Sequence, residues 1–255
     1  MSAAKLAGAV RRFARPAPDA PDAELLRRFV AARDEDAFGA LVARYGPLVF
    51  AVCRRVTGSH HLSEDAFQAA FVVLAAKAGS VRAASLPAFL HAVAARTALR
   101  ARTVSDRRRR RETPVATLPD APGREPESAE AADLAAAVDA EIARLPEALR
   151  SAVVLCELEG LSRKDAAARL GVPEGTVSSR LAAARKALAE RLRSRGLTLG
   201  SAGLSAALGA GAAAGVPADL SARALAGALL PALRPAAVSA LSTGVLRVML
   251  AHKLK

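Results

Sequence analysis

The chain is expected to be all-α: two small helical domains joined by a flexible acidic linker and followed by an Ala/Gly-rich helical tail. Three observations predict this. Apolar residues recur at three- and four-residue spacing through most of the sequence, while the alternation typical of a half-buried strand is nearly absent. Aromatic residues are scarce, with 7 Phe, 1 Tyr and no Trp, so the core must be Ala, Leu and Val packed between helices. Charge also changes sign along the chain. Residues 1–112 hold twenty basic and ten acidic side chains, whereas 113–144 hold two and seven.

The whole chain has 255 residues and a net charge of +13, with Arg far outnumbering Lys. Such a balance points to an anionic partner, nucleic acid first and an acidic membrane surface second. Cys53 and Cys156 lie far apart in apolar helical contexts. They read as reduced thiols of a cytoplasmic protein and not as a disulfide framework. Residues 1–21 are basic and proline-spotted, lack the apolar centre of a signal peptide, and are expected to be a disordered lead-in.

The first domain is expected over 22–112. Asp22 is placed as the N-cap of a helix over 23–33 with Leu25, Leu26, Phe29 and Val30 on its apolar stripe. Asp34, Glu35 and Asp36 mark a break and favour a following helix start; read as a metal site, they would need a different setting. The next helix carries Phe38, Leu41, Val42, Tyr45, Leu48, Val49, Val52, Cys53 and Val56. Residues 57–61 form a turn, and its His60–His61 pair has no third metal ligand at suitable spacing. Ser63 is placed as the cap of a helix with Phe67, Ala70, Phe71 and Leu74 on one side. A loop over 79–86 leads to Pro87 and a long helix, with Phe89, Leu90, Val93, Ala94 and Ala98 inward and Arg96, Arg100 and Arg102 outward.

The linker is placed at 113–133, where Pro114, Pro119, Pro122, Gly123 and Pro126 interrupt regular structure. The second domain follows over 134–195. Leu134, Val138, Ile142 and Leu145 form one stripe, and Leu149, Val153, Val154 and Leu158 the next. Its decisive stretch is LSRKDAAARLGVPEGTVSSRLAAARKAL at 161–188. Ser162 can cap a first short helix, Gly171 can end it in the left-handed conformation, and Pro173 cannot continue it. A second helix then buries Val177, Leu181, Ala184 and Leu188. Its opposite side carries Ser178, Ser179, Arg180, Arg185 and Lys186. Short hydroxyls for base edges and cations for phosphates suit a helix-turn-helix in a DNA major groove. The plainer alternative is a helical hairpin with a solvated basic face.

SEDAFQAAFVVLAAKA at 63–78, LPAFLHAVAARTALRAR at 86–102, and the stretch from 145 to 188 together resemble bacterial RNA polymerase sigma factors of the sigma-70 family, extracytoplasmic-function type. CRRVTGSHHLSEDAFQAAF resembles a subgroup frequent in planctomycetes, which often carries a C-terminal extension. The resemblance implies that 22–112 is region 2 and 134–195 is region 4. Glu64, Asp65, Phe67, Gln68 and Phe71 match the part that docks on the clamp helices of the largest polymerase subunit. Arg82, Ser85, Phe89, Arg96, Arg100 and Arg102 match the part that captures and melts the minus-ten element. Thr176, Ser178, Ser179, Arg180, Arg185 and Lys186 match the part that reads the minus-35 duplex. The implied partners are core RNA polymerase, promoter DNA and an anti-sigma factor. No cofactor, metal or catalytic residue is implied, and the alternative function is a helix-turn-helix regulator acting without polymerase. The chain departs from the family pattern in two ways: Ala182 and Ala183 stand where larger or basic side chains are common, and Phe89 is the nearest aromatic to an expected tryptophan.

The tail over 196–255 begins with an uncharged Ala/Gly-rich run to 218. Its length permits a membrane span, but its weak apolarity argues for a packed helix, so membrane contact is not expected. Amphipathic helices are expected over 219–233 and 236–254, broken by Pro231 and Pro235.

Overall fold

The computed structural model describes residues 20–111, 126–197 and 215–253, and every regular element among them is helical. The expected lead-in, most of the linker and most of the Ala/Gly-rich run lie outside the described residues.

The first domain contains α1 (Asp22–Ala32), α2 (Glu35–Thr57), α3 (His60–Lys77) and α4 (Leu86–Arg111). Asp34 caps α2, its carboxylate accepting the Ala37 N–H at 3.0 Å, and Gly58 ends it at φ 63°. Helix α2 is long and apolar enough to cross a membrane, yet it runs through the bundle with most of its apolar side chains buried. The core is tied by aromatic contacts. Phe38 meets Phe71 edge-on at 6.5 Å and Phe67 meets Phe71 at 5.0 Å. Two turns of 3-10 helix, Ala78–Ser80 and Ala83–Ser85, replace the expected open loop before α4.

Two cap assignments are corrected. Pro21, not Asp22, precedes α1, because the Asp22 carboxylate is taken up by Arg44, Tyr45 and Arg169. Ser63 lies inside α3, which starts three residues earlier, and its hydroxyl donates back to the carbonyls of Ser59 and His60. This is the helix-interior alternative open to any serine.

The second domain contains α5 (Pro126–Arg144), α6 (Glu147–Val153) running on through a π turn (Val154–Leu158), α7 (Arg163–Leu170) and α8 (Glu174–Arg193). Helix α5 begins at Pro126, inside the stretch expected to be linker; proline fits a first helical turn because it lacks only a donor that would be unused there. Val138, Ile142, Leu145, Val153, Val154, Leu155, Ala166, Val177, Leu181, Ala184, Leu188 and Leu192 form its core.

The two domains pack against each other, with α5 lying on α2 and α4. At the centre of the contact, Asp139 is fully buried. Its Oδ2 accepts Arg55 Nε at 2.7 Å and its Oδ1 accepts Arg55 Nη2 at 3.0 Å, with His91 Nε2 2.9 Å from that same Oδ1. A second clasp at the rim joins Arg169 of α7 to Asp22 at 2.8 Å and to the Tyr45 hydroxyl. The tail supplies α9 (Ala218–Leu229), a short turn (Pro231–Leu233) and α10 (Ala236–Lys253), which lie across the first domain.

Burial pushes the Asp139 carboxyl up, but the His91 and Arg55 interactions outweigh it and hold the group below its ordinary value. A lowered carboxylate value in the folded state contributes stability above the ordinary value of about 3.9, lost as pH falls through the folded value. The domain contact is therefore expected to hold at neutral pH and to open in acid. Asp139→Ala removes the carboxylate shared by Arg55 and His91 and is expected to cost about 3–5 kcal/mol. Urea unfolding checks the cost, and small-angle scattering at neutral and acid pH checks the opening.

Candidate nucleic-acid and polymerase interface

The helix-turn-helix forms as the cap and turn residues dictate. The Ser162 hydroxyl accepts the Asp165 N–H at 3.1 Å and donates to the Asp165 carboxylate at 2.6 Å. Gly171 ends α7 at φ 65°, and the Val172 N–H reaches back to the Ala167 carbonyl at 3.1 Å. Pro173 then precedes α8. With Val177, Leu181, Ala184 and Leu188 inward, Ser179, Arg185 and Lys186 are exposed and Thr176, Ser178 and Arg180 half-buried. The exposed Ala182 and Ala183 leave the middle of this face shallow. Arg185 is held by Glu157 at 2.5 Å.

Of the six residues expected at the melting site, four come together. Arg82, Ser85, Phe89 and Arg96 line one cavity of about 220 Å³, whose wall is completed by Glu147 and Arg150 of the second domain and Met249 of the tail. Arg82 pairs with Glu147 at 2.5 Å. That bond, with a further one from Ser85, holds the Glu147 carboxyl below its ordinary value. Arg96 and Arg150 are part-buried, and burial lowers the proton affinity of both. Arg150 donates to the Ala88 carbonyl at 3.1 Å and the Leu145 carbonyl at 2.8 Å. Arg100 and Arg102 lie farther along α4, Arg102 pairing with Asp133 at 3.0 Å. An aromatic wall with cations around it can hold an unstacked base and its phosphates. In this closed arrangement carboxylates stand beside Arg82, Arg102 and Arg185 instead.

The expected docking set divides. Glu64 and Asp65 are partly exposed, and Glu64 pairs with His60 and with Arg223, each at 3.1 Å. Phe67, Gln68 and Phe71 are buried, the two aromatics completely. The assignment of the two aromatics to a contact surface is corrected: Phe67 and Phe71 recur at helical spacing because they build the core, and they set the pose of α3 from inside. The residues sequence reasoning missed are Glu147, Arg150, Asp139, Arg55 and His91. Glu147 read as an ordinary helix start, and nothing local links 139 to 55 and 91. The one available signal was that these ionisable residues occupy positions flanked by apolar stripes.

Sequence models of two families match the chain: sigma-70 region 2 over residues 41–111 and sigma-70 region 4 over residues 135–188. The ECF RNA polymerase sigma factor SigM of Mycobacterium tuberculosis is 36% identical over 173 residues, covering 67% of this chain and 84% of its own length. This chain belongs to the ECF sigma factors. The RNA polymerase sigma-H factor of Pseudomonas aeruginosa is 33% identical over 184 residues, covering 68% of this sigma factor and 94% of its own length. A chain from the co-crystal structure of the sigma factor RpoE in complex with the anti-sigma factor NepR from Bartonella quintana is 26% identical. The match covers 60% of this chain and 94% of that one, with a TM-score of 0.26. The helix-turn-helix falls within the region 4 match, and α3, most of α2 and all of α4 within the region 2 match. Helices α9 and α10 lie beyond both.

Glu147→Gln removes the charge beside Arg82. The pair is exposed, so stability is expected to change little. The affinity for a labelled single-stranded oligonucleotide is expected to rise, by up to about fivefold, because the competing carboxylate is gone. Fluorescence anisotropy at fixed salt measures it.

Proposed function

We propose that this sigma factor binds core RNA polymerase through its first domain and directs promoter-specific initiation, with region 4 reading the minus-35 duplex and region 2 holding the melted minus-ten strand. The observation that carries this is the joint presence, in one chain, of a capped helix-turn-helix with a hydroxyl-and-cation face and a separate cavity with an aromatic wall and cationic rim. On α8, Thr176, Ser178, Ser179 and Arg180 face base edges, while Arg185 and Lys186 take phosphates. In the first domain, Phe89 stacks on an extruded base, Ser85 and Arg82 hold its edge and phosphate, and Arg96, Arg100 and Arg102 follow the displaced strand. Glu64 and Asp65 are the carboxylates offered to the polymerase. The chain supplies recognition and leaves the chemistry to the polymerase, and its working compartment is the cytoplasm. Engagement of DNA needs Glu147, Asp133 and Glu157 to give up their cations. Each of these pairs is at least partly exposed, so phosphates can displace them.

Run-off transcription with the purified chain, core polymerase and a pool of genomic promoters tests this reading. Discrete start sites sharing upstream minus-35 and minus-ten elements are expected, against none with core polymerase alone. Duplex binding without any association with core polymerase would instead favour a stand-alone regulator. Arg185→Ala is expected to weaken minus-35 duplex binding across sequences and to lower the salt slope of the affinity by about 1, read from anisotropy titrations at several salt concentrations.

A further inference from the structure

We propose that α9 and α10 form an intrachain cover over α3, occupying the face by which the first domain docks on core RNA polymerase and leaving that face when polymerase binds. The inference rests on the reading of α3 as the docking helix. Both helices lie outside the two sigma-70 family matches, whereas the surface they cover lies inside one of them. They are therefore an addition laid on a module that is already defined without them.

The contact has two parts. Helix α9 packs along α3 and α2, inserting Leu220, Ala224, Leu225 and Ala228 among buried residues of the first domain. Leu225 approaches the bare backbone of Gly39, and Val216, just before α9, approaches that of Gly46. Helix α10 lies on α3 and α4 and makes a small cluster of its own. In that cluster Val238 and Leu241 cover Ala69, Val72 and Ala101, with Leu62 at the edge. Without α10, these residues would form an apolar strip beside the partly exposed Glu64 and Asp65. An apolar strip with a charged rim is the composition of a protein-binding surface.

The cover also engages the groups that the proposed function assigns to partners. Arg223 of α9 pairs with Glu64 at 3.1 Å, satisfying a docking carboxylate from within the chain. The guanidinium of Arg100 lies against Gly244 of α10, so close that a Cβ there would stand 2.2 Å from it. Met249 completes the wall of the cavity that holds Arg82, Phe89 and Arg96. One helical pair thus meets the docking helix, a melting-helix cation and the base-sized cavity together. Helix α10 is held by Val238 and Leu241 in its own cluster and by Val245 in the main core, with Leu246 and Met249 packed beside it, while its C-terminal part leaves Val248 and Leu250 exposed. The exposed C-terminal part is where a competing partner gains its first hold on the covered face.

Three full-length proteins test the proposal: the natural chain, Val238→Asp with Leu241→Asp, and Arg223→Glu. The aspartates place carboxylates in the cluster and detach α10. Arg223→Glu sets three carboxylates together at a partly exposed site and spares the core. Circular dichroism confirms that each keeps its helical content. If the covered form is about nine-tenths of the population, the double variant binds core polymerase about tenfold more tightly, because apparent affinity scales with the competent fraction. Arg223→Glu is expected to gain about threefold, the scale of a partly exposed ion pair. In the natural chain, hydrogen exchange over 218–253 is expected to quicken when core polymerase is added. Exchange over 218–253 that stays slow in the polymerase complex overturns the cover. So does faster exchange there in the double variant with unchanged or weaker polymerase binding; either result leaves the sigma reading intact. Absence of polymerase binding by all three proteins overturns the cover and the docking role of α3 together.

Discussion

A single carboxylate fixes how the two domains of this sigma factor stand. Asp139 is removed from solvent on α5, and it survives there because Arg55 of α2 and His91 of α4 both turn to it. Burying an ion is costly, and the cost is offset only where bonds to its oxygens are short and its counter-charge is close. Those demands fix α5 against α2 and α4 within a fraction of a hydrogen-bond length. Everything at the domain contact then follows: Glu147 reaches Arg82, Arg150 reaches the Ala88 carbonyl, and Arg169 reaches Asp22.

That geometry resolves a conflict set by composition. A chain of net charge +13 repels itself unless its cations have partners. In the closed form, acidic residues of the second domain answer cations of the first at the positions assigned to nucleic acid. The pairs differ in strength by position. Asp139 with Arg55 and His91 is buried and shapes the fold, whereas Glu147 with Arg82 and Asp133 with Arg102 are open to water and worth little. The helical tail adds a third layer of the same kind, with Arg223 answering Glu64.

The legible parts of this protein were those whose causes are local. Ser162, Gly171 and Pro173 encode the turn of the helix-turn-helix within a dozen residues, and the turn forms as read. Asp34 caps α2 and the helical stripes of both domains face inward for the same reason. Misreadings arose where a residue had a distant competitor. Asp22 looks like a cap, but Arg44, Tyr45 and Arg169 draw its carboxylate away. Phe67 and Phe71 look like contact residues by resemblance, yet Phe38 and Phe50 hold them inside.

By itself the sequence determined the helical class, the two domains in their order, the helix-turn-helix and the excess of cations. Periodicity, capping and charge act over a few residues and need no knowledge of neighbours in space. Only the tertiary structure decided which of those cations are occupied, that Glu147, Arg150 and Met249 close the cavity around Arg82 and Phe89, and that the tail lies on α3. Such facts depend on side chains brought together from positions as far apart as 64 and 223. Burial and hydrogen bonding select that pairing once the domains have packed, and no local pattern carries it.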